Sequence, residues 1–138
     1  MKKIILIMLC VMVCNANLWA QQNPPDDPMG EALFPPDLVM QNQDAIALTE
    51  LQRNSISKEM QSAQSEFMSL QWDLAKESEK LKSLIEKEKP TEASVLEQLD
   101  RMLSIENKIK KRQITLLIRI KNLLSHEQQE KLQQLKGK

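Results

Sequence analysis

Between Gln52 and Pro90 the chain carries apolar residues at the spacing of a long amphipathic helix. With one interruption at Glu77, they recur at intervals of four and three residues: Ile56, Met60, Ala63, Phe67, Leu70, Leu74, Leu81 and Leu84. This spacing places them on one helix face, as in a coiled-coil seam. Pro90 pushes the preceding residue, Lys89, away from helical angles, so we expect the helix to end near Glu88.

A second seam follows, and Thr91 can cap the helix that carries it. Its apolar positions, with polar breaks at Glu106 and Gln113, are Val95, Leu99, Met102, Ile109, Leu116, Ile120 and Leu123. At about 1.5 Å per residue each helix is on the order of 50–60 Å long, and two such helices joined by a few residues must lie antiparallel. Leucines beside the second seam leave room for two short helices, for which residues 36–47 and 126–136 are the candidates.

The remaining sequence favours an all-α fold. No glycine lies between Gly30 and Gly137, and Pro90 is the one proline after Pro36. No segment alternates apolar and polar residues with the period of two that marks a half-buried strand. The sequence therefore predicts an all-α domain, a long antiparallel helical hairpin with short flanking helices, four helices in all.

Two motifs of one pattern stand near the ends of this hairpin, LTELQ at residues 48–52 and LSHEQ at residues 124–128. Each places a threonine or serine three residues before a glutamine, which is the arrangement of a capping box at a helix start. The leucine of each motif precedes the cap, and we expect it to pack on a neighbouring helix. The residues that carry the two motifs are Leu48, Thr49, Gln52, Leu124, Ser125 and Gln128.

Residues 1–20 have the layout of a secretory signal peptide. Two lysines precede an apolar run from Ile4 to Val13, and small or polar residues lead to a cleavage site after Ala20. The run is shorter than the roughly 20 residues of a membrane-spanning helix. Leu18, which is not the ideal small residue before a cleavage site, leaves an uncleaved anchor as an alternative.

The segment after the signal peptide is rich in proline. Residues 21–36 hold five of the six prolines, each of which disfavours a helix. We interpret residues 21–34 as a flexible arm and residues 35–136 as one helical hairpin domain. A cleaved signal peptide predicts export of this domain to the periplasm.

Cleavage would also change the chemistry of the chain. It removes both cysteines, Cys10 and Cys14, so the exported protein would have no thiol for a disulfide or a metal. It removes Lys2 and Lys3 from 19 basic residues against 19 acidic ones, which leaves 17 basic residues and a net charge near −2. Nucleic-acid-binding proteins usually carry a clear positive excess, so we expect no nucleic-acid partner.

The two motifs, in this order around a long hairpin and behind a signal peptide, resemble the LTxxQ motifs of the Spy/CpxP group of periplasmic proteins. The related CnrX-like heavy-metal sensors share the architecture. The resemblance covers roughly residues 35–135, and its departure is Ser125 in place of threonine, which keeps the capping hydroxyl. It implies a four-helix hairpin that forms a homodimer shaped as a curved cradle.

The same resemblance implies a function. The first expectation is ATP-independent, chaperone-like binding of unfolded or misfolded envelope proteins, or an adaptor role in envelope stress with a membrane-bound signalling partner. The first alternative is a periplasmic heavy-metal sensor or resistance protein. The second alternative is a coiled-coil adaptor for one specific partner.

The exported residues offer little catalytic chemistry. They include no cysteine, no tyrosine and one histidine, and their carboxylates show no clustered pattern, so we expect no enzyme activity and no cofactor. His126 and Glu130 have the i, i+4 spacing of two ligands on one helix face and are weak metal candidates. Methionines at helical spacing usually fill a core, but four could offer soft sulfur ligands: Met40, Met60, Met68 and Met102. We expect no metal site.

Several apolar residues fall outside the two seams. Trp72 lies opposite the first seam, with Met68 and Ala75 about one turn away on either side. Ile114 and Ile118 face away from the second seam in the same way. Because exposed apolar surface marks an interface, we expect either a dimer contact or a surface that binds unfolded polypeptides.

Basic residues accompany these apolar positions on the second helix. They can attract polypeptides at long range, or they can offset acidic residues of the first helix across the hairpin, namely Glu66, Asp73 and Glu77. The predicted client or dimer surface consists of Met68, Trp72, Ala75, Arg112, Ile114, Ile118 and Arg119.

Overall fold

A computed structural model of the chain describes residues 32–136. Within that range the chain forms four helices and no β-strand: α1 (Pro36–Gln41), α2 (Glu50–Ile85), α3 (Glu92–Leu123) and α4 (His126–Lys136). This confirms the predicted all-α hairpin with short flanking helices. None of these four helices is long and apolar enough to cross a membrane. The predicted signal peptide, and the predicted arm up to residue 31, lie outside the described residues.

The long helices α2 and α3 pack against each other in opposite directions. Near the start of α2, the Gln52 side chain donates to the backbone carbonyl of Leu123, the last residue of α3, at 2.7 Å. Far along α2, the Ser78 hydroxyl contacts the sulfur of Met102 at 3.4 Å. Residues later in α2 thus contact residues earlier in α3, which is the pattern of an antiparallel helix pair. With 36 and 32 residues, the helices are about 54 and 48 Å long.

The buried apolar core lies at the end of the hairpin opposite the α2–α3 turn. There the two short helices and the loop between α1 and α2 cover the seams, which the long helices alone would leave half exposed. The core comprises Phe34, Val39, Ile46, Leu48, Ile56, Ala63, Leu116, Ile120, Leu124 and Leu132. Four of these are seam residues of α2 and α3, and the two motif leucines are buried with them, as the spacing predicts.

The other half of the hairpin has a different interior. Between residues 64 and 115, all of which the structure describes, the only buried side chain is the polar Gln98. The seam leucines of this half, such as Leu74 on α2 and Leu99 on α3, are half-buried. Two helices in contact cover only one side of each other, so a seam without a third helix keeps part of its surface in water.

The residues just before α1 are held against the core. Phe34 is buried, and the ammonium group of Lys136 lies 4.8 Å from the centre of its ring. Lys136 also donates to the carbonyl of Leu33, and Lys121 donates to the carbonyl of Ala32 at 2.8 Å. The last three residues of the predicted arm therefore pack on the helical domain.

Two helix ends differ from the sequence prediction. The first short helix ends at Gln41 rather than extending to residue 47, because the Asn42 side chain donates to the carbonyl of Leu38 at 2.8 Å and closes the helix. The first long helix ends at Ile85, three residues before Glu88; the residues that follow are exposed and gain no burial from another turn.

Thr91 occupies the N-cap position of α3, but its side chain makes no capping hydrogen bond. Instead, the Ser94 hydroxyl donates to the Thr91 carbonyl at 2.9 Å.

Candidate functional site

Each of the two motifs forms a complete capping box at a helix start. At α2, the Thr49 hydroxyl accepts from the Gln52 backbone N–H at 3.2 Å, and the Gln52 side-chain oxygen accepts from the Thr49 N–H at 3.0 Å. At α4, Ser125 and Gln128 make the same two bonds at 3.3 and 2.9 Å. These four bonds satisfy backbone donors that a helix start leaves free. The predicted capping boxes are therefore confirmed.

The two motif glutamines also bind each other. The Nε2 group of Gln52 donates to Oε1 of Gln128 at 2.9 Å, and Nε2 of Gln128 donates back to Oε1 of Gln52 at 3.1 Å. We call this reciprocal amide pair the glutamine clasp. It joins the start of α2 to the start of α4, which are 76 positions apart in the sequence.

The glutamine clasp is tied to two further pieces of backbone. Gln52 donates to the carbonyl of Leu123 at the end of α3, and Gln128 donates to the carbonyl of Ile46 at 3.2 Å and that of Ala47 at 3.4 Å. Ala47 has a φ of 49°, in the left-handed region that costs a non-glycine residue on the order of 1 kcal/mol. The loop therefore holds a strained turn where its carbonyls meet Gln128. Because both side chains are neutral amides, the clasp serves to lock the fold rather than to transfer protons.

The outer apolar face is the second candidate site, and it has two separate parts: Met68, Trp72 and Ala75 on α2, and Ile118 on α3 beside Arg119, which pairs with Glu59. The side chain of Trp72 is 70% exposed, and those of Met68 and Ile118 are 52% and 45% exposed. Ala75 is exposed as well, whereas Ile114, predicted to lie with them, is half-buried. Met68 also lines a groove of about 380 Å³ between the start of α1 and α2. The outer apolar face thus includes an exposed aromatic ring and borders an apolar groove.

Both arginines of the predicted surface cross the hairpin to acidic residues of α2. Arg112 pairs with Glu66, and its side chain is only 10% exposed. Arg119 pairs with Glu59 at 2.9 Å and is about half exposed. The sequence offered two roles for the basic residues of the second long helix, attraction of polypeptides and pairing with acidic residues of the first. Arg112 takes the second role, since it pairs with Glu66.

The weak metal candidates form a pair on α4. His126 Nε2 lies 3.2 Å from Glu130 Oε1, and both side chains are exposed. Within residues 32–136 no group of three or more histidine, cysteine or acidic side chains converges. Met40 and Met60 pack against the apolar core, and Met102 contacts Ser78 across the hairpin. These three methionines therefore have packing roles.

Gln98, which no sequence pattern singled out, fills the interruption of the first seam at Glu77. Its side-chain amide donates to the carbonyl of Glu77 at 3.0 Å and to its carboxylate at 2.7 Å. Hydrogen bonds from Lys80 and from Gln98 hold the pKa of Glu77 below its ordinary value. The polar break at Glu77 could have indicated this contact, because a half-buried carboxylate on one helix needs a hydrogen-bond donor from the other helix.

A family model described as heavy-metal resistance matches residues 4–131. The chain belongs to the heavy-metal resistance family. The matched range includes both motifs and therefore the whole glutamine clasp, together with α1, α2, α3 and the first half of α4. For the heavy-metal resistance family the resemblance seen in the sequence is confirmed, while the narrower likeness to the Spy/CpxP group stays a prediction. No curated protein and no solved structure matches the chain.

Proposed function

We propose that the protein acts in heavy-metal resistance outside the cytoplasm, as a sensor-type protein built on a helical hairpin. The observation that carries this proposal is the family match over residues 4–131, which takes in nearly the whole chain. The predicted signal peptide supports a place in the periplasm, where toxic metals first meet the proteins of the cell envelope.

Whether the protein holds a metal ion is a separate question, and the described residues offer few donors for one. Transition metals in proteins usually take four or more ligands, among which imidazole, carboxylate and sulfur groups predominate. His126 and Glu130 provide two metal ligands on one helix face. Among the described residues no further histidine, cysteine or acidic side chain joins them as a third ligand. These residues do not make a closed metal site, so an ion bound by His126 would keep water in its remaining positions, and the proposed role itself rests on the family match.

Metal addition tests the sensor role. Zn²⁺, Cu²⁺, Ni²⁺ or Co²⁺ at concentrations well above its Kd should raise the Tm of the exported protein, because a ligand that prefers the folded state stabilises it. The rise should be lost in His126→Ala, which removes the one imidazole, and kept in Glu127→Ala, an exposed neighbour in the same turn. The measurement is differential scanning fluorimetry against a metal-free control.

Growth of the host provides the second measurement. A strain that lacks the gene should be more sensitive than its parent to at least one of the four metals, and a plasmid copy should restore resistance. If the strain grows like its parent on all of them and no metal moves the Tm, the proposed role in heavy-metal resistance is wrong.

A second candidate function has its own support in the outer apolar face. We propose that this face binds unfolded or misfolded polypeptides, as the resemblance to the Spy/CpxP group implies. A soluble protein rarely leaves a tryptophan 70% exposed beside a methionine 52% exposed without a use for that surface. Methionine and tryptophan suit varied apolar partners, because flexible and polarisable side chains adapt to different shapes.

An aggregation assay tests this candidate. A near-stoichiometric amount of the protein should suppress aggregation of a chemically denatured, unrelated protein, and Trp72→Ala should weaken that suppression about tenfold, as loss of an interface aromatic often does. Ile85→Ala is the control, since Ile85 is another exposed apolar residue of α2, at 53%, but lies at the hairpin turn. Equal suppression by the wild type and Trp72→Ala would exclude Trp72 from client binding.

Homodimerisation competes for the same surface and stays a prediction. The exposed side chains of Met68 and Trp72 support it, because a second copy could cover them. If Trp72→Ala converts a dimer into a monomer in light scattering, the outer apolar face is a dimer contact. Capture of one membrane protein without aggregation suppression would instead favour the adaptor for a specific partner.

A further inference from the structure

Arg112 carries hydrogen-bond donors that the fold does not use. Its Nε group bonds to the carboxylate of Glu66, and its Nη2 group lies 3.4 Å from the Ser62 hydroxyl. Its Nη1 group is buried and has no hydrogen-bond partner within residues 32–136. The whole side chain is only 10% exposed. A guanidinium donor removed from water without a partner is energetically unfavourable, so the unpaired Nη1 group calls for an explanation.

The same side chain lines a cleft of about 460 Å³ between the middles of α2 and α3. Two exposed lysines, Lys108 and Lys111, line it as well, so three cations meet there. The one acidic residue of the cleft is Glu66, which already binds Nε of Arg112 and leaves a local excess of two positive charges.

Hydroxyl groups complete the lining of the cleft. Ser69 is exposed and able to donate from its hydroxyl. Thr115 donates its own hydroxyl to the Lys111 carbonyl at 2.8 Å, so it offers an incoming group only an acceptor. The donor groups among the residues that line the cleft are thus the Arg112 guanidinium, two ammonium groups and one hydroxyl.

We infer that this cleft binds a compact oxyanion, a phosphate or carboxylate group, whose oxygens accept from the guanidinium of Arg112 and from the ammonium groups beside it. Glu66 accepts from Nε of the guanidinium, and no residue within 32–136 accepts from Nη1. Arginine binds phosphate and carboxylate groups through paired N–H donors, and such charge-assisted bonds are the stronger class. The flanking ammonium groups add attraction at longer range. This inference depends on neither proposed function.

Titration of the full exported chain with inorganic phosphate, and separately with N-acetylated tetra-aspartate, tests the oxyanion cleft. We expect saturable binding of at least one probe with a Kd of about 1 mM or tighter at constant ionic strength, measured by calorimetry. Arg112→Gln should weaken binding about tenfold or more, since it removes a charged donor. Nitrogen-15 spectra should show the Arg112 side-chain signals shifting with the same Kd.

Lys110→Gln is the matched control, because Lys110 is an exposed lysine of the same helix turn that does not line the cleft. It should change binding less than twofold, whereas Lys111→Gln should weaken it about threefold through lost attraction. If circular dichroism shows that Arg112→Gln is unfolded, binding at the cleft is judged from the affinity of Lys111→Gln and from the Arg112 signals of the wild type.

The two probes also distinguish the source of the anion. Binding of phosphate alone identifies a free inorganic ion, and binding of the aspartate peptide alone identifies a carboxylate of a polypeptide; either result supports the cleft. Absence of saturable binding for both probes, or an equal loss in Lys110→Gln and Lys111→Gln with unmoved Arg112 signals, overturns it.

Discussion

Replacement of Gln128 by alanine should lower the free energy of unfolding by about 3 kcal/mol, because it leaves several buried groups without partners at once. Gln128 is only 9% exposed, and its amide serves Gln52, the Ser125 N–H and the carbonyl of Ile46. Each buried partner left unsatisfied costs about 1–3 kcal/mol, partly recovered where water can enter. Urea denaturation followed by circular dichroism at 222 nm measures the loss.

Two further variants make this test specific to the glutamine clasp. Gln133→Ala, an exposed glutamine of the same helix, should change stability by less than about 0.5 kcal/mol. The double variant of Gln52 and Gln128 should be less destabilised than the two single losses added together, with a coupling energy of about 1–2 kcal/mol. Strict additivity would mean that the reciprocal amide bonds contribute nothing of their own.

Ile120→Ala should also cost about 3–4 kcal/mol of unfolding free energy. Ile120 is fully buried in the apolar core, where loss of three carbons removes transfer free energy and leaves a cavity. Ile118 lies two positions away on the same helix and is 45% exposed, so Ile118→Ala should cost less than about 1 kcal/mol. The comparison keeps residue type and helix constant and changes only the face.

The pair also reports on the outer apolar face. If Ile118→Ala costs as much as Ile120→Ala and the loss depends on protein concentration, a second copy covers Ile118 in solution. If the losses are equal at every concentration, the register of α3 assigned here is wrong.

Much of the fold could be predicted from local patterns. The 4-3 spacing identified the core face of both long helices, and Ile56, Ala63, Leu116 and Ile120 are buried as that spacing requires. The capping boxes identified two helix starts, because the geometry that satisfies a helix N-terminus involves only residues three positions apart. Such features are local, and a sequence displays them directly.

Other features depend on long-range geometry that no local pattern records. The antiparallel hairpin brings the end of α3 beside the start of α2, and only then do Gln52 and Gln128 come within hydrogen-bond distance. The partners of Arg112 were not fixed by spacing either, since each acidic residue of α2 could have offset a cation of α3. Exposure of Trp72 was predictable from its heptad position, because a residue opposite the seam faces away from the other long helix.

The uneven distribution of buried side chains divides the hairpin into two regions of unequal resistance to opening. Near α1 and α4 the apolar core and the glutamine clasp hold the two long helices together. Towards the turn the helices contact each other through half-buried leucines and the buried Gln98. Local opening free energy follows the apolar contact that a segment must break. We therefore expect backbone amides near the turn to exchange with solvent sooner than those near α1 and α4, by local separation of two helices that the turn still joins.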